Sequence, residues 1–192
     1  ADALRDLSAV LGMLVLASAN DLVLLFVGLE LLTFSLYVMA AYLRQDARSI
    51  EAGMKYLILG SISSGFLIYG MSLLYGVAGG TNFELLRVTF SDAASVPLLA
   101  RMGLFMVLAG LGFKIAAVPF HLWVPDVYQG APTPVVALLS TGSKMAGIVA
   151  LLRLLYGVFW GAQALWAPVL MVASAATILY GNLAALPQTN IK

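Results

Sequence analysis

The stretch Pro119-Phe120-His121-Leu122-Trp123-Val124-Pro125-Asp126-Val127-Tyr128-Gln129-Gly130-Ala131-Pro132-Thr133-Pro134 holds four of the seven prolines in the chain. It follows an apolar run that begins after Pro97, reads to Val118 and is interrupted by Lys114. Proline donates no backbone hydrogen bond and clashes with the preceding helical turn. The run therefore breaks between Lys114 and Pro119, and a second half-helix follows. In hydrocarbon, unpaired backbone is tolerated only against protein or a water-filled cavity. A break inside a membrane span is thus a functional signal in itself.

Composition places that run in a membrane. Of 192 residues, 62% are hydrophobic and 10% are charged, against about 25% charged in an ordinary soluble domain. The mean hydropathy is +0.99. So few charges cannot keep the surface of a soluble domain of this length wet. Ten Lys and Arg against nine Asp and Glu leave a net charge of +1. That balance argues against a nucleic-acid partner, which needs clustered cations to displace phosphate counterions. The absence of cysteine excludes disulfides, thiolate metal sites and iron–sulfur clusters held by this chain. A single histidine excludes a His-cluster metal site and bis-His haem ligation. No basic segment and small-residue cleavage site precede the apolar runs, so no signal peptide is expected.

The expected fold class is all-α: a polytopic transmembrane helix bundle of about six spans, at roughly 20 apolar residues per span, with one discontinuous helix. The segments run at about 4–19, 22–43, 50–78, 98–118, 133–156 and 164–185. Ser49 reads as an N-cap with Glu51 in the first turn. Thr81-Asn82-Phe83-Glu84 fits a capping box, and Phe83, Leu86 and Phe90 then share one face of a short interfacial helix. Small residues four apart (Gly60/Ser64, Ser61/Gly65, Ser143/Gly147) allow close helix packing. Trp160 and Trp166 fall between the last two segments, where interfacial aromatics belong. If the spans alternate, Arg5, Arg44, Arg48 and Lys192 lie on one side and Arg87, Arg101 and Arg153 on the other. The excess of cations makes the 44–48 loop the cytoplasmic one.

Most charges lie in loops or at segment ends, where solvation explains them. Lys55, a turn and a half into its helix, is able to snorkel. Glu30, Lys114 and Lys144 are different, because they sit inside apolar spans. An ionised side chain at the bilayer centre costs at least about 2.5–3.5 kcal/mol on insertion scales. Such groups pair, face a wet cavity or change protonation. A buried Glu–Lys bridge that merely fixes helix register is the bland account, but such pairs stabilise less than apolar packing does. The stronger account is a proton relay. Desolvation pulls ionisable groups toward neutrality, and the distance between partners tunes them. His121, just past the break, either satisfies a freed carbonyl or carries the proton onward.

The run from Gly110-Leu111-Gly112-Phe113-Lys114 through Pro119-Phe120-His121-Leu122-Trp123-Val124-Pro125-Asp126 to Val135 closely resembles the antiporter-like membrane subunits of respiratory complex I. The wording Asp126-Val127-Tyr128-Gln129-Gly130-Ala131-Pro132 is most like the subunit N branch of the bacterial NADH:quinone oxidoreductases. Gly28-Leu29-Glu30, Ser143-Lys144 and Gln188-Thr189-Asn190-Ile191-Lys192 fit the same branch. The resemblance implies roughly fourteen helices in the full subunit, with two inverted five-helix repeats that each form a proton half-channel. Residues 1–192 then form a single transmembrane domain, the first repeat plus one further helix of a truncated subunit. It further implies that Glu30 pairs with Lys114, that Lys144 passes the proton toward the second half, and that His121 and Lys55 take part. The chain itself holds no cofactor. NADH, FMN, iron–sulfur clusters and quinone belong to other subunits. Implied partners are the other membrane subunits of complex I, the lipid bilayer and protons, in the bacterial inner membrane. A cation/proton antiporter subunit of the multisubunit Na⁺/H⁺ type is the alternative.

Overall fold

The computed structural model describes residues 2–188 and is all-helical. The side chain of Arg5 and residues 189–192, including Lys192, lie outside the described part. The helices are α1 (Asp2–Ser18), α2 (Leu22–Ala40), α3 (Ala47–Ala78), α4 (Phe83–Thr89), α5 (Leu98–Ile115), α6 (Val124–Gly130), α7 (Thr133–Leu138), α8 (Lys144–Gly157) and α9 (Gln163–Ala185). Five stretches are long and apolar enough to cross a membrane: Leu22–Ala40, Ala47–Ala78, Leu98–Ile115, Thr133–Gly157 and Trp160–Ala185. The first expected span is a shorter apolar helix, Asp6–Ser18. Large apolar side chains such as Leu14, Phe34, Ile62 and Ile178 are more than half exposed, as lipid-facing positions require.

The spans close a ring. α1 packs along α2, α2 against α3, α3 along α5, α5 against α8, and α8 returns to α1. α9 stands outside, and Trp166 is its one buried residue. Glycines bring α3 and α5 nearly backbone to backbone. A Cβ on Gly70 would lie 2.8 Å from the Gly103 carbonyl oxygen, and one on Gly103 would lie 2.9 Å from that of Gly70. This closeness lets short side chains meet across the two helices.

Several local expectations need correction. α3 starts earlier than expected, because Asp46 rather than Ser49 is its N-cap and accepts from the Arg48 N–H at 3.0 Å. Ser49 is buried, and its hydroxyl donates to the Ala40 carbonyl instead. The cap of α4 is Asn82, not Thr81, whose hydroxyl donates to Asp21. Phe83, Leu86 and Phe90 do share a face, but they are buried against the bundle end. Ser61 and Gly65 pack against nothing: Ser61 is exposed and Gly65 faces open space. Trp166 is buried, its indole N–H donating to the Phe159 carbonyl at 2.7 Å, while Trp160 is exposed.

The break falls where the prolines put it. α5 closes with the Ala117 N–H donating to the Gly112 carbonyl at 2.8 Å and the Ala116 N–H to that of Phe113 at 3.1 Å, the paired bonds of a Schellman cap. Ala116 adopts φ +60°, a left-handed conformation that costs an L-residue about 1–2 kcal/mol. The Val118–Pro119 peptide bond is cis. α6 then begins with Pro125 in its first turn, where a missing N–H is harmless. The following span contains a feature the periodicity did not signal. A single π turn, Leu139–Ser143, separates α7 from α8 immediately before Lys144.

Candidate functional site

α2 and α3 carry Glu30 and Ser64, and the last turn of α5 carries Lys114. The three meet beside the break. Lys114 Nζ lies 3.5 Å from Glu30 Oε1 and donates to Ser64 Oγ at 3.3 Å. The Ser64 hydroxyl lies 2.6 Å from the same Glu30 oxygen. The lysine side chain is only 4% exposed, against 30% for the glutamate, so the pair is buried at one end and open at the other. Each ion loses several kcal/mol of hydration when buried. The opposite charge and the serine are what replace it.

The freed backbone of the break finds partners in protein. The Trp123 indole N–H donates to the Phe113 carbonyl at 3.2 Å, and the Phe120 N–H to that of Ala117 at 2.7 Å. The Val118 N–H donates to Thr177 Oγ1 on α9 at 2.9 Å. His121 is not what satisfies a freed carbonyl: both its ring nitrogens are buried with no hydrogen-bond partner among the described residues.

The remaining candidates lie apart from the pair. Lys144 has no ion-pair partner among the described residues, and its Nζ sits 5.4 Å from the centroid of the Tyr128 ring. His121 rests against Tyr180, ring centroids 4.2 Å apart. Lys55 bridges two carboxylates, Glu51 at 2.8 Å and Asp126 at 2.7 Å, all three half-exposed. This resolves its ambiguity. The 32 residues of α3 are about 48 Å long at 1.5 Å each, well beyond a hydrocarbon core of about 30 Å. The first turns of α3 therefore project toward the surface, and α6 folds back onto them. Ser64 is a partner that the sequence reading assigned to packing, and Asp126, which it placed beside the deep charges at the end of the break, instead pairs with Lys55.

The arrangement has the parts a proton transfer needs. A carboxylate and an amine share a hydroxyl, so one proton can be held at three atoms within hydrogen-bonding range. His121, its ring nitrogens without a hydrogen-bond partner among the described residues, follows the break, and Lys144 follows the π turn.

Residues 19–192 match the family described as NADH:quinone oxidoreductase/Mrp antiporter, transmembrane. The NADH-quinone oxidoreductase subunit N of Desulforamulus reducens is 50% identical over 182 residues, covering 95% of this chain and 38% of that protein. Among solved structures, the respiratory complex I of Thermus thermophilus with bound aureothin contains a chain 40% identical, with a TM-score of 0.81, covering 97% of this chain and 39% of that one. The Mrp complex of Dietzia sp. DQ12-45-1b contains one 26% identical, with a TM-score of 0.84, covering 96% of this chain and 34% of that one. The chain thus spans little more than a third of the length of the relatives it matches. The resemblance read from the 110–135 stretch extends over nearly all of it, and the chain belongs to the NADH:quinone oxidoreductase/Mrp antiporter transmembrane family.

Proposed function

We propose that this chain is the first five-helix repeat, plus one further helix, of a proton-translocating membrane subunit of a bacterial NADH:quinone oxidoreductase. The observation that carries the reading is the Glu30–Ser64–Lys114 contact beside a broken span. Quinone reduction in a distant subunit changes the field at Glu30. Glu30 moves relative to Lys114, which weakens the attraction holding the proton on the lysine. The proton leaves Lys114 toward His121 and then Lys144, which hands it to the second half of the subunit. Lys55 and Asp126 form the uptake side, on the same face as the cytoplasmic 44–48 loop. NADH, FMN, iron–sulfur clusters and quinone are handled by other subunits of the complex, and this chain contributes no redox chemistry.

In the intact complex, Glu30→Ala or Lys114→Ala should abolish proton pumping coupled to NADH oxidation while leaving assembly largely unchanged. A normal ratio of protons pumped to electrons transferred in either variant would sink the reading. A Na⁺/H⁺ antiporter subunit is the second reading, favoured by the TM-score of 0.84 to a chain of the Mrp complex. Fold does not separate the two; the higher identity, 40% to the complex I chain against 26% to the Mrp chain, supports the first. Sodium-dependent transport by the full complex in proteoliposomes would reverse that preference.

A further inference from the structure

The break in the α5–α6 span is held from outside the five-helix ring. The Val118 N–H, orphaned by the end of α5, donates to Thr177 Oγ1 at 2.9 Å. Thr177 in turn gives its own proton to the Ala173 carbonyl at 2.6 Å. A hydroxyl has one proton and two lone pairs, so the two bonds coexist: the threonine donates within its helix and accepts from the break. One turn farther along α9, the Tyr180 ring lies 4.2 Å from that of His121, tilted by 59°. Beyond the buried Trp166, these are the polar and ring contacts that tie α9 to the rest of the bundle among the described residues.

They enclose something. A cavity of about 280 Å³ opens between the break and α9, lined by Val118, His121, Tyr128, Thr177 and Tyr180. Among the described residues, both imidazole nitrogens and the Tyr128 hydroxyl are buried without a protein partner, and Lys144 sits over the Tyr128 ring. The lining is mostly apolar, so His121, Tyr128, Gln129 and Thr177 stand out in it as the groups able to handle a proton.

We propose that Thr177 and Tyr180 are positioning residues for the proton carrier at the break. Thr177 fixes the backbone at Val118, and Tyr180 fixes the plane of the His121 ring. Held there, the ring commits neither nitrogen to a protein partner among the described residues. The helix that follows the ring thereby sets the geometry of the carrier inside it. This inference rests on the proton-relay reading.

The test uses the intact complex in inverted membrane vesicles, with protons pumped per NADH oxidised as the readout and the amount of assembled complex measured alongside. Thr177→Val, which keeps the shape and removes the acceptor, should lower the ratio several-fold, and Thr177→Ser should restore it. Tyr180→Leu should lower it likewise, and Tyr180→Phe should not, because the ring makes the contact. In a His121→Ala background, Tyr180→Leu should add no further loss. Pumping unchanged in Thr177→Val and Tyr180→Leu, while Lys114→Ala abolishes it, would overturn the inference and leave the relay standing. Equal losses with and without His121 would also overturn it. Normal pumping in Lys114→Ala would instead bring down the relay itself.

Discussion

Ser64 touches both members of the buried pair, and its hydroxyl has a single proton to give. Two acceptors compete for that proton: Glu30 Oε1 at 2.6 Å and the Gly60 carbonyl at 3.0 Å. While Glu30 is charged and near, the carboxylate wins, because a hydrogen bond to an ion is roughly twice as strong as a neutral one. Once Glu30 is protonated or withdrawn, the hydroxyl proton turns back to its own helix, and an oxygen lone pair still accepts from Lys114. Ser64→Ala removes a bond worth about 1.5–3 kcal/mol to a charged group. That corresponds to roughly a ten- to hundredfold effect on a step that depends on it. We expect pumping to slow by about tenfold or more at equal levels of assembled complex, with Ser64→Thr close to wild type. An unchanged rate of NADH-driven proton uptake in Ser64→Ala would remove the serine from the path. Glu30 and Lys114 were legible in the sequence because a charge in an apolar span needs a reason. Ser64 was not, because a helical serine satisfies itself on the carbonyl four residues back and leaves no anomaly. Asp126 was noticed for its place at the end of the proline-rich break, but only the fold shows that α6 returns it to Lys55.

Elements carry the pair by bringing α3 and α5 into near backbone contact, and the glycine crossing is what permits it. A Cβ at Gly103 meets the Gly70 carbonyl oxygen at 2.9 Å and the Leu74 side chain at 3.0 Å. Gly103→Val therefore forces the helices apart, and overpacking of this kind costs about 1–3 kcal/mol or more. Because Ser64 is on α3 and Lys114 on α5, the same displacement lengthens their 3.3 Å contact. The variant should lower both the thermal midpoint of the solubilised complex and the pumping ratio. Gly65→Ala is the contrast. Its Cβ meets nothing within 4 Å, and alanine in a helix interior is favoured over glycine by about 0.8–1.0 kcal/mol. Its midpoint should hold or rise; a fall as large as that of Gly103→Val would show that glycine positions do not discriminate. Sequence reading offered Gly65 for close packing and passed over Gly70 and Gly103, since four-residue spacing does not say which face meets a neighbour. It placed the break correctly because proline acts on the backbone directly. It had no means of seeing the π turn Leu139–Ser143, which inserts a residue into the helical winding without any compositional mark.

At the scale of the whole bundle the two ends are built differently. At one end Lys55, Glu51 and Asp126 are half-exposed around an open polar cavity of about 220 Å³. At the other, the turn between α1 and α2 is stitched to the segment before α4: the Leu22 N–H donates to the Thr81 carbonyl at 2.9 Å, and the Phe83 N–H to that of Asn20 at 3.1 Å. Arg153 of α8 locks the same turn, donating to the carbonyls of Ala19 at 3.0 Å and Ala17 at 2.5 Å and to Asn20 Oδ1 at 2.5 Å. One guanidinium thus satisfies the carbonyl end of α1, which has no partner within its own helix, and closes the ring between α8 and α1. Only a planar fork reaches three acceptors together; a lysine ammonium on a flexible stem does not. Leaving such groups unsatisfied costs about 1–3 kcal/mol each where they are buried, and less here, where two of the three bonds are exposed. Arg153→Ala should therefore lower the thermal midpoint of the solubilised complex, and Arg153→Lys should recover only part of the loss. Protons pumped per NADH should stay normal at permissive temperature, because Arg153 lies at the stitched end, remote from Lys55 and Asp126. A midpoint unmoved by Arg153→Ala would mean that apolar packing alone closes the ring, and a selective loss of pumping at normal stability would place Arg153 in the proton path instead.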